Sequence, residues 1–326
     1  MATAARGYRG GFLSSLEHAV TTVLQCVGVA VGENVLIVTD PARRAIAEAL
    51  VRAGRDCGAE AVLVEMDERD THGTEPPPQV AAAMSACDVL IAPTTKSLSH
   101  TEARYLATQK GVRVATMPGI TEDMLVRTMS ADYEEVARLS AALANALTTG
   151  SHVRATSAAG TDVTFDVDGR RGIADDGNLT AEGAFGNLPA GEGFVAPVEG
   201  RTTGRIVFDG SMATLGVLDE PLVATIEGGD ATFSGGRADE FTQFLDRHGR
   251  AAFAVAELGI GTNRAATLTG DILEDEKILG TIHVAFGDNH SIGGITRVPS
   301  HQDGVVLNPS VEVDGVQIME SGRLLL

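Results

Sequence analysis

The spacing of apolar residues divides the chain near residue 150. Before that point, short apolar runs alternate with longer amphipathic stretches. Leu13, Leu16, Val20, Val23 and Leu24 recur at helical spacing and predict a helix over residues 10–30. Val35–Val38 reads as a buried strand ending at Thr39-Asp40. Pro41 then opens a helix reaching Cys57, in a first-turn position where its missing N–H costs nothing. Further strands are predicted at Ala61–Val64, Val89–Ile91 and Val112–Ala115, interleaved with helices at Gln79–Ala86 and His100–Thr108. One long helix is predicted from Glu122 to Leu147. Strands separated by helices imply a parallel sheet with right-handed crossovers.

After Thr149-Gly150 the period becomes two. Val163–Val167, Arg205–Phe208, Leu222–Ile226 and Val311–Val313 alternate between turns such as Asp168-Gly169, Asp209-Gly210, Gly228-Gly229 and Asp314-Gly315. That pattern belongs to antiparallel or mixed β structure. A single helix, Ala238 to His248, interrupts it. The expected fold class is therefore α/β, in two parts. Residues 1–150 form a Rossmann-like α/β domain with a parallel sheet, and residues 151–326 form a mixed, β-rich α+β domain.

Composition narrows the function classes. At 326 residues the chain is too long for one ordinary core. Its formal charge of −19 argues against nucleic-acid binding, which needs clustered Lys and Arg to neutralise phosphates. The same charge favours cation capture wherever carboxylates converge. The parallel sheet carries no nucleotide fingerprint. Gly28-Val-Ala-Val-Gly32 precedes the first strand instead of following it, and no Walker motif occurs, so no nucleotide-binding residue is assigned. Glu75-Pro-Pro-Pro78 reads as a stiff loop, and His72 and His100 as surface or helix-terminus residues. Cys26, Cys57 and Cys87 lack paired spacing and are expected to be reduced thiols. No continuous apolar segment resembles a signal peptide or a membrane span, so a cytoplasmic protein without a membrane partner is expected.

The candidate chemistry lies in the second part. His283, His290 and His301 fall within 19 positions of one another. His301-Gln-Asp303 places an imidazole and a carboxylate on one face of an extended segment, a natural half-site for Zn, Mn, Co or Fe. Glu257 interrupts the apolar run Phe253–Gly261, where an unpaired carboxylate is costly. A salt bridge to Lys277 or a nearby Arg is the structural alternative. Glu192 sits in the Gly- and Pro-rich segment Asn187–Gly193, and Glu199 lies in the same loop as a structural candidate.

On these residues the sequence resembles the metallopeptidase family of aminopeptidases T and S. The matching stretches are Gly186–Glu192, Ala256–Asn263, Leu273–Gly287 and His301-Gln-Asp303. The resemblance implies a homodimeric metalloaminopeptidase acting on peptides or small amides. It implies two divalent metal ions per chain (Zn, Co or Mn), held by Glu192, Glu257, His283, His301 and Asp303. A bridging Glu192 or Glu257 would also shuttle a proton. The family's catalytic Tyr, seven residues after the position of His283, is replaced here by His290, which would then act in catalysis or as a further ligand. Glu274-Asp275-Glu276 reads as structural, with Lys277 pairing one of the three.

A more distant resemblance reaches the 2,5-dihydroxypyridine 5,6-dioxygenases, which hold one Fe(II) with two His and one Asp. Those enzymes place a His where this chain has Glu257, which favours hydrolysis, although His283, His301 and Asp303 could supply a mononuclear iron site. The shorter chain and His290 leave a third reading, a biosynthetic enzyme that processes a specialised amide.

Overall fold

A computed structural model describes residues 15–326. Of the helix predicted over 10–30, the part before Ser15 lies outside the described residues. The first part runs α1 (Ser15–Cys26), β1 (Asn34–Thr39), α2 (Arg44–Asp56), β2 (Glu60–Glu65), α3 (Pro78–Met84), β3 (Val89–Thr94), α4 (Glu102–Gln109), β4 (Arg113–Pro118), α5 (Glu122–Thr128) and α6 (Tyr133–Thr149). Its strands pair in parallel in the order β2-β1-β3-β4. Alternate residues bury on opposite faces: Val35, Ile37, Val89 and Ile91 join one core, while Leu36, Val38, Leu90 and Ala92 join another. That two-sided burial is why these strands read as unbroken apolar runs.

The second part runs β5 (His152–Thr156), β6 (Asp162–Asp166), β7 (Ile173–Asp175), β8 (Phe185–Asn187), β9 (Glu192–Val195), β10 (Thr203–Phe208), β11 (Ser211–Met212), β12 (Gly216–Val217), β13 (Leu222–Glu227) and β14 (Asp230–Gly235). It continues with α7 (Ala238–Asp246), β15 (Val255–Gly261), α8 (Ile272–Asp275), β16 (Ile282–Gly287), β17 (His301–Val306), β18 (Ser310–Val313), β19 (Val316–Glu320) and β20 (Arg323–Leu324). These strands form an eight-stranded sheet, β14-β13-β10-β6-β5-β18-β19-β20, and a seven-stranded sheet, β12-β11-β17-β16-β15-β9-β7. The two sheets share one core, in which Phe208, Phe233, Phe241 and Phe286 meet edge to face. β8 is the exception. It returns to the parallel sheet and extends it beside β4, from Val114↔Phe185 to Thr116↔Asn187.

The long helix predicted over 122–147 is two helices, and local capping explains the break. Thr121 caps α5 by accepting from the Met124 N–H. Asp132 caps α6, accepting from the N–H groups of Glu134 and Glu135. A short polar side chain of this kind competes with helix continuation and favours a new start. The Thr128 carbonyl at the end of α5 accepts from the buried Asn263 side chain at 3.3 Å.

Candidate metal centre

The five metal-site residues predicted from sequence lie on one face of the seven-stranded sheet. Register dictates this, because paired residues on neighbouring strands point to the same side. Glu192 opposes Gly261 across β9 and β15. Gly259 opposes His283 and Glu257 opposes Ala285 across β15 and β16. Ala285 opposes Asp303 and Gly287 opposes His301 across β16 and β17. Each of the five faces a Gly or Ala on one neighbouring strand, which leaves room there, while Asp175 and Val305 are the larger partners beside Glu192 and His283. At Gly259 the room is already used: an added Cβ would lie 1.9 Å from the His283 Nε2. The imidazole therefore rests on bare backbone. Residues of opposite parity, such as Leu258, Ile260, Val284 and Phe286, fill the core behind.

Side-chain distances resolve the face into overlapping donor sets. The His283 Nε2 lies 2.7 Å from the Glu192 Oε2 and 3.3 Å from the Glu257 Oε1. The His301 Nε2 lies 3.5 Å from both the Glu257 Oε2 and the Asp303 Oδ2. Glu257 thus offers one oxygen to each imidazole. Among the described residues three groups bring ligand atoms together: Glu192–Glu257–His283, Glu257–His301–Asp303 and Glu276–His283–Asp303. The Asp288 carbonyl accepts from the His301 Nδ1 at 2.7 Å, which leaves Nε2 as the coordinating nitrogen.

The residues fit a divalent cation. Glu192, Glu257 and Asp303 are 6–7% exposed and His283 is fully buried. The Glu192 Oε2, His283 Nδ1 and Asp303 Oδ1 are buried without a hydrogen-bond partner. The close approach of Glu192 to His283 is off hydrogen-bond geometry, so that oxygen faces its neighbours as a ligand atom would. Buried polar atoms left in this state are uncommon, and a bound ion is one explanation for a cluster of them. Carboxylate and imidazole donors suit Zn, Co, Mn or Fe.

Charge at the centre is set by crowding. Burial alone would raise Glu192, but the Lys277 ammonium and the His283 imidazolium outweigh it and hold the carboxyl at about 2. Burial raises Glu257 above its ordinary range, only partly offset by His283 and His301. Burial would lower His301, yet Asp303 and Glu257 carry it to about 10. Without a metal the imidazoles therefore hold protons that a cation must displace. The N-terminal thiols take no part, since burial pushes Cys26 to about 12 and Cys87 to about 11.

The remaining candidates sort by contact. His290 stands on an exposed turn outside all three donor sets, beside a shallow cleft lined by Asp288, Ser291, Arg297, Val298 and Pro299. Its Nε2 faces the Arg297 guanidinium, which can only donate, so that nitrogen is the acceptor of the pair. Glu199 holds its loop through Arg170, Asn289 and the Ile295 N–H. Glu274 pairs with Arg127, and Asp275 accepts from the N–H groups of Thr269 and Gly270. Glu276 instead faces the centre. Lys277 pairs with Glu276 and also with Glu192 and Asp175, and not with Glu257.

Two residues near the centre were not assigned to it from the sequence. Asp175 sits on β7, opposite Glu192, in a short strand without alternation. His100 is solvent-exposed, yet the surrounding protein and the facing His301 and Arg104 hold its imidazole below the usual range. The loop after β3 therefore borders the centre.

Comparison with known proteins bears on the fold and the family. The 2,5-dihydroxypyridine dioxygenase of Pseudomonas putida KT2440 shares the fold, with a TM-score of 0.82 at 18% identity, over 96% of this chain and 98% of that one. Wild-type AmpT from Thermus thermophilus shares it with a TM-score of 0.73 at 16% identity, over 96% of this chain and 99% of that one. Identities this low establish the fold alone. No curated protein matches the sequence. Both enzyme groups that the sequence resembles thus meet a solved structure of the same architecture. The model of the family described as NicX: 2,5-dihydroxypyridine 5,6-dioxygenase matches residues 15–326, and the chain belongs to that family.

Proposed function

We propose that the chain is a metal-dependent hydrolase of the aminopeptidase type, cleaving peptide-like amide bonds in peptides or small amides. One observation carries this reading: His283 and His301 fall in different donor sets, joined by Glu257. An iron site of the two-His, one-carboxylate kind needs both imidazoles and a carboxylate on one ion. Among the described residues no such set forms, and the set that holds His301 contains two carboxylates.

Glu257, His301 and Asp303 are the residues that would hold the ion. A divalent ion supplies a nucleophile by lowering the pKa of a water, and it polarises the scissile carbonyl. The chain's own part is to accept a proton from that water. Lys277 holds the Glu192 carboxyl at about 2, which makes it a poor base. Glu257, whose two oxygens face different imidazoles, would take that proton through the oxygen not given to the ion. The Asp288 carbonyl orients His301, so the tautomer needed for coordination is set before substrate arrives.

Ring cleavage by iron and dioxygen is the second reading, favoured by the family match over residues 15–326. One experiment separates the two. Protein loaded with Zn, Mn or Co is offered a panel of aminoacyl p-nitroanilides, and protein loaded anaerobically with Fe(II) is offered 2,5-dihydroxypyridine and oxygen. Hydrolysis without oxygen uptake is expected. Oxygen uptake without hydrolysis overturns the proposal. Bound metal with neither reaction points to a specialised amide.

A further inference from the structure

A cavity of about 530 Å3 lies where α6, the segment joining α8 to β16 and the β19–β20 hairpin meet. That size suits a small ligand. None of the five candidate metal ligands lines it. Three guanidinium groups reach it from distant parts of the chain: Arg138 of α6, Arg264 after β15 and Arg323 of β20. Glu135 is the one acidic side chain in its lining. This excess of positive charge is local, since the whole chain carries −19. An acidic protein repels anions at long range, so a cationic recess stands out as a place where one can be taken up.

The three heads are available to a ligand. Arg138 is exposed and acts on the Glu135 carboxylate as a nearby charge, without a hydrogen bond. Arg264 donates to Glu135 at 3.0 Å and Arg323 to Glu320 at 3.2 Å, with the two guanidinium side chains 68% and 73% exposed. Solvated pairs of this kind contribute little, so an incoming anion can take these donors. A guanidinium fork matches carboxylate or phosphate oxygens two at a time. Leu139, Ile278, Leu307 and Leu324 add an apolar wall, which can cover a hydrocarbon body. The wall is preformed. A Cβ added to Gly280 would lie 2.0 Å from the Gly322 carbonyl oxygen, so the hairpin tip rests directly on the backbone of the α8–β16 segment. The Gly322 N–H also donates to the Pro309 carbonyl at 2.8 Å. A cavity held in this way costs little ordering when it is filled.

We propose that this cavity binds a small organic anion, a carboxylate or phosphate on an apolar body. Arg138, Arg264 and Arg323 take the charged end and the leucines take the body. The site is separate from the metal centre and does not depend on which reaction the centre performs.

The test is calorimetry on the full chain at low ionic strength, with benzoate and phenyl phosphate as probes and with benzyl alcohol and inorganic phosphate as half-ligands. One anion per chain is expected, with a dissociation constant below about 10 mM for at least one probe. The tighter probe tells carboxylate from phosphate. Both half-ligands are expected to bind at least about tenfold more weakly, and Arg138→Met to weaken the tighter probe by about tenfold or more. Phenylglyoxal labelling read by peptide mass spectrometry needs no variant. Saturating anion should slow modification of Arg138, Arg264 and Arg323 and leave the exposed Arg205 unchanged.

Equal labelling with and without anion overturns the proposal, as does the absence of saturable binding by either probe. Binding that Arg138→Met leaves unchanged also overturns it. Loss of that binding in Asp303→Asn would then place the anion at the metal centre, and a changed particle mass in Arg138→Met by light scattering would assign the cavity to a contact between copies of the chain.

Discussion

Replacing Gly259 by Ala tests whether the backbone of β15 forms the seat of His283. The new Cβ would lie 1.9 Å from the His283 Nε2, 2.2 Å from Cε1 and 2.8 Å from Cδ2, whereas ordinary contact begins at 3.4 Å. The ring must therefore recede by about 1.5 Å, or the strands must part by as much. His283 is fully buried, so it has no open space to enter. Overpacking of this kind costs about 1–3 kcal/mol. For a chain of this size that lowers the midpoint of thermal unfolding by roughly 2–6 °C. Receding also breaks the approach to Glu192 at 2.7 Å and to Glu257 at 3.3 Å. A displacement near 1 Å at a reacting centre costs on the order of 100-fold in rate. The assay is a double-mutant cycle with His283→Ala, read by thermal unfolding and by amide hydrolysis. If the imidazole is the obstacle, Gly259→Ala loses most of its stability cost once the ring is gone. Equal costs in both backgrounds would show that the strain lies elsewhere and refute the reasoning.

Other expectations follow from the same contacts. Arg127→Met should destabilise the protein by about 3 kcal/mol, because it leaves the fully buried Glu274 carboxylate without its counter-ion; a loss below about 1 kcal/mol in urea unfolding would contradict this. The metal-free protein should lose stability as pH rises. Burial carries Asp175 from 3.8 to about 7 and Glu276 from 4.5 to about 8, and the Asp303 and Glu257 carboxylates carry His301 from 6.5 to about 10, against burial. Each of these groups stabilises the fold fully below its unfolded value, and that contribution disappears as pH climbs through the folded one. Glu192 has the opposite sign, contributing above 4.5 and losing that contribution only as pH falls through about 2. Melts in chelator should thus show a lower midpoint at pH 10 than at pH 6, and a rising midpoint would overturn the charge assignment. Metal uptake at neutral pH should release protons, measurable with an indicator dye, because protonated His301 must become neutral to coordinate.

Much of the fold is legible in the chain because local rules act locally. The α/β alternation to residue 150 reflects strands buried on both faces, and the runs around Val35 and Val89 announce this directly. His301 and Asp303 share a face because an extended strand has a period of two. What the sequence hides is non-local. Nothing near Phe185–Asn187 signals that β8 pairs with β4, about 70 residues earlier, because a three-residue strand has too little pattern to be read. The split between α5 and α6 hinges on Asp132, which looks like any exposed helical acid until its cap bonds are seen. Lys277 is the clearest case. Beside Glu274-Asp275-Glu276 it reads as a local ion pair, and that is part of its role. Its contacts with Glu192 and Asp175 depend on β7 and β9 lying side by side, which only register can reveal.

The most direct test of the account is the rate of aminoacyl p-nitroanilide hydrolysis by the purified protein, measured before chelation, after it, and during titration with Zn, Mn or Co. The account predicts that chelation abolishes the rate, that added metal restores it, and that Asp303→Asn is not restored. A rate indifferent to chelation would contradict the account. So would a metal-loaded protein that cleaves no amide while consuming oxygen with a dihydroxypyridine.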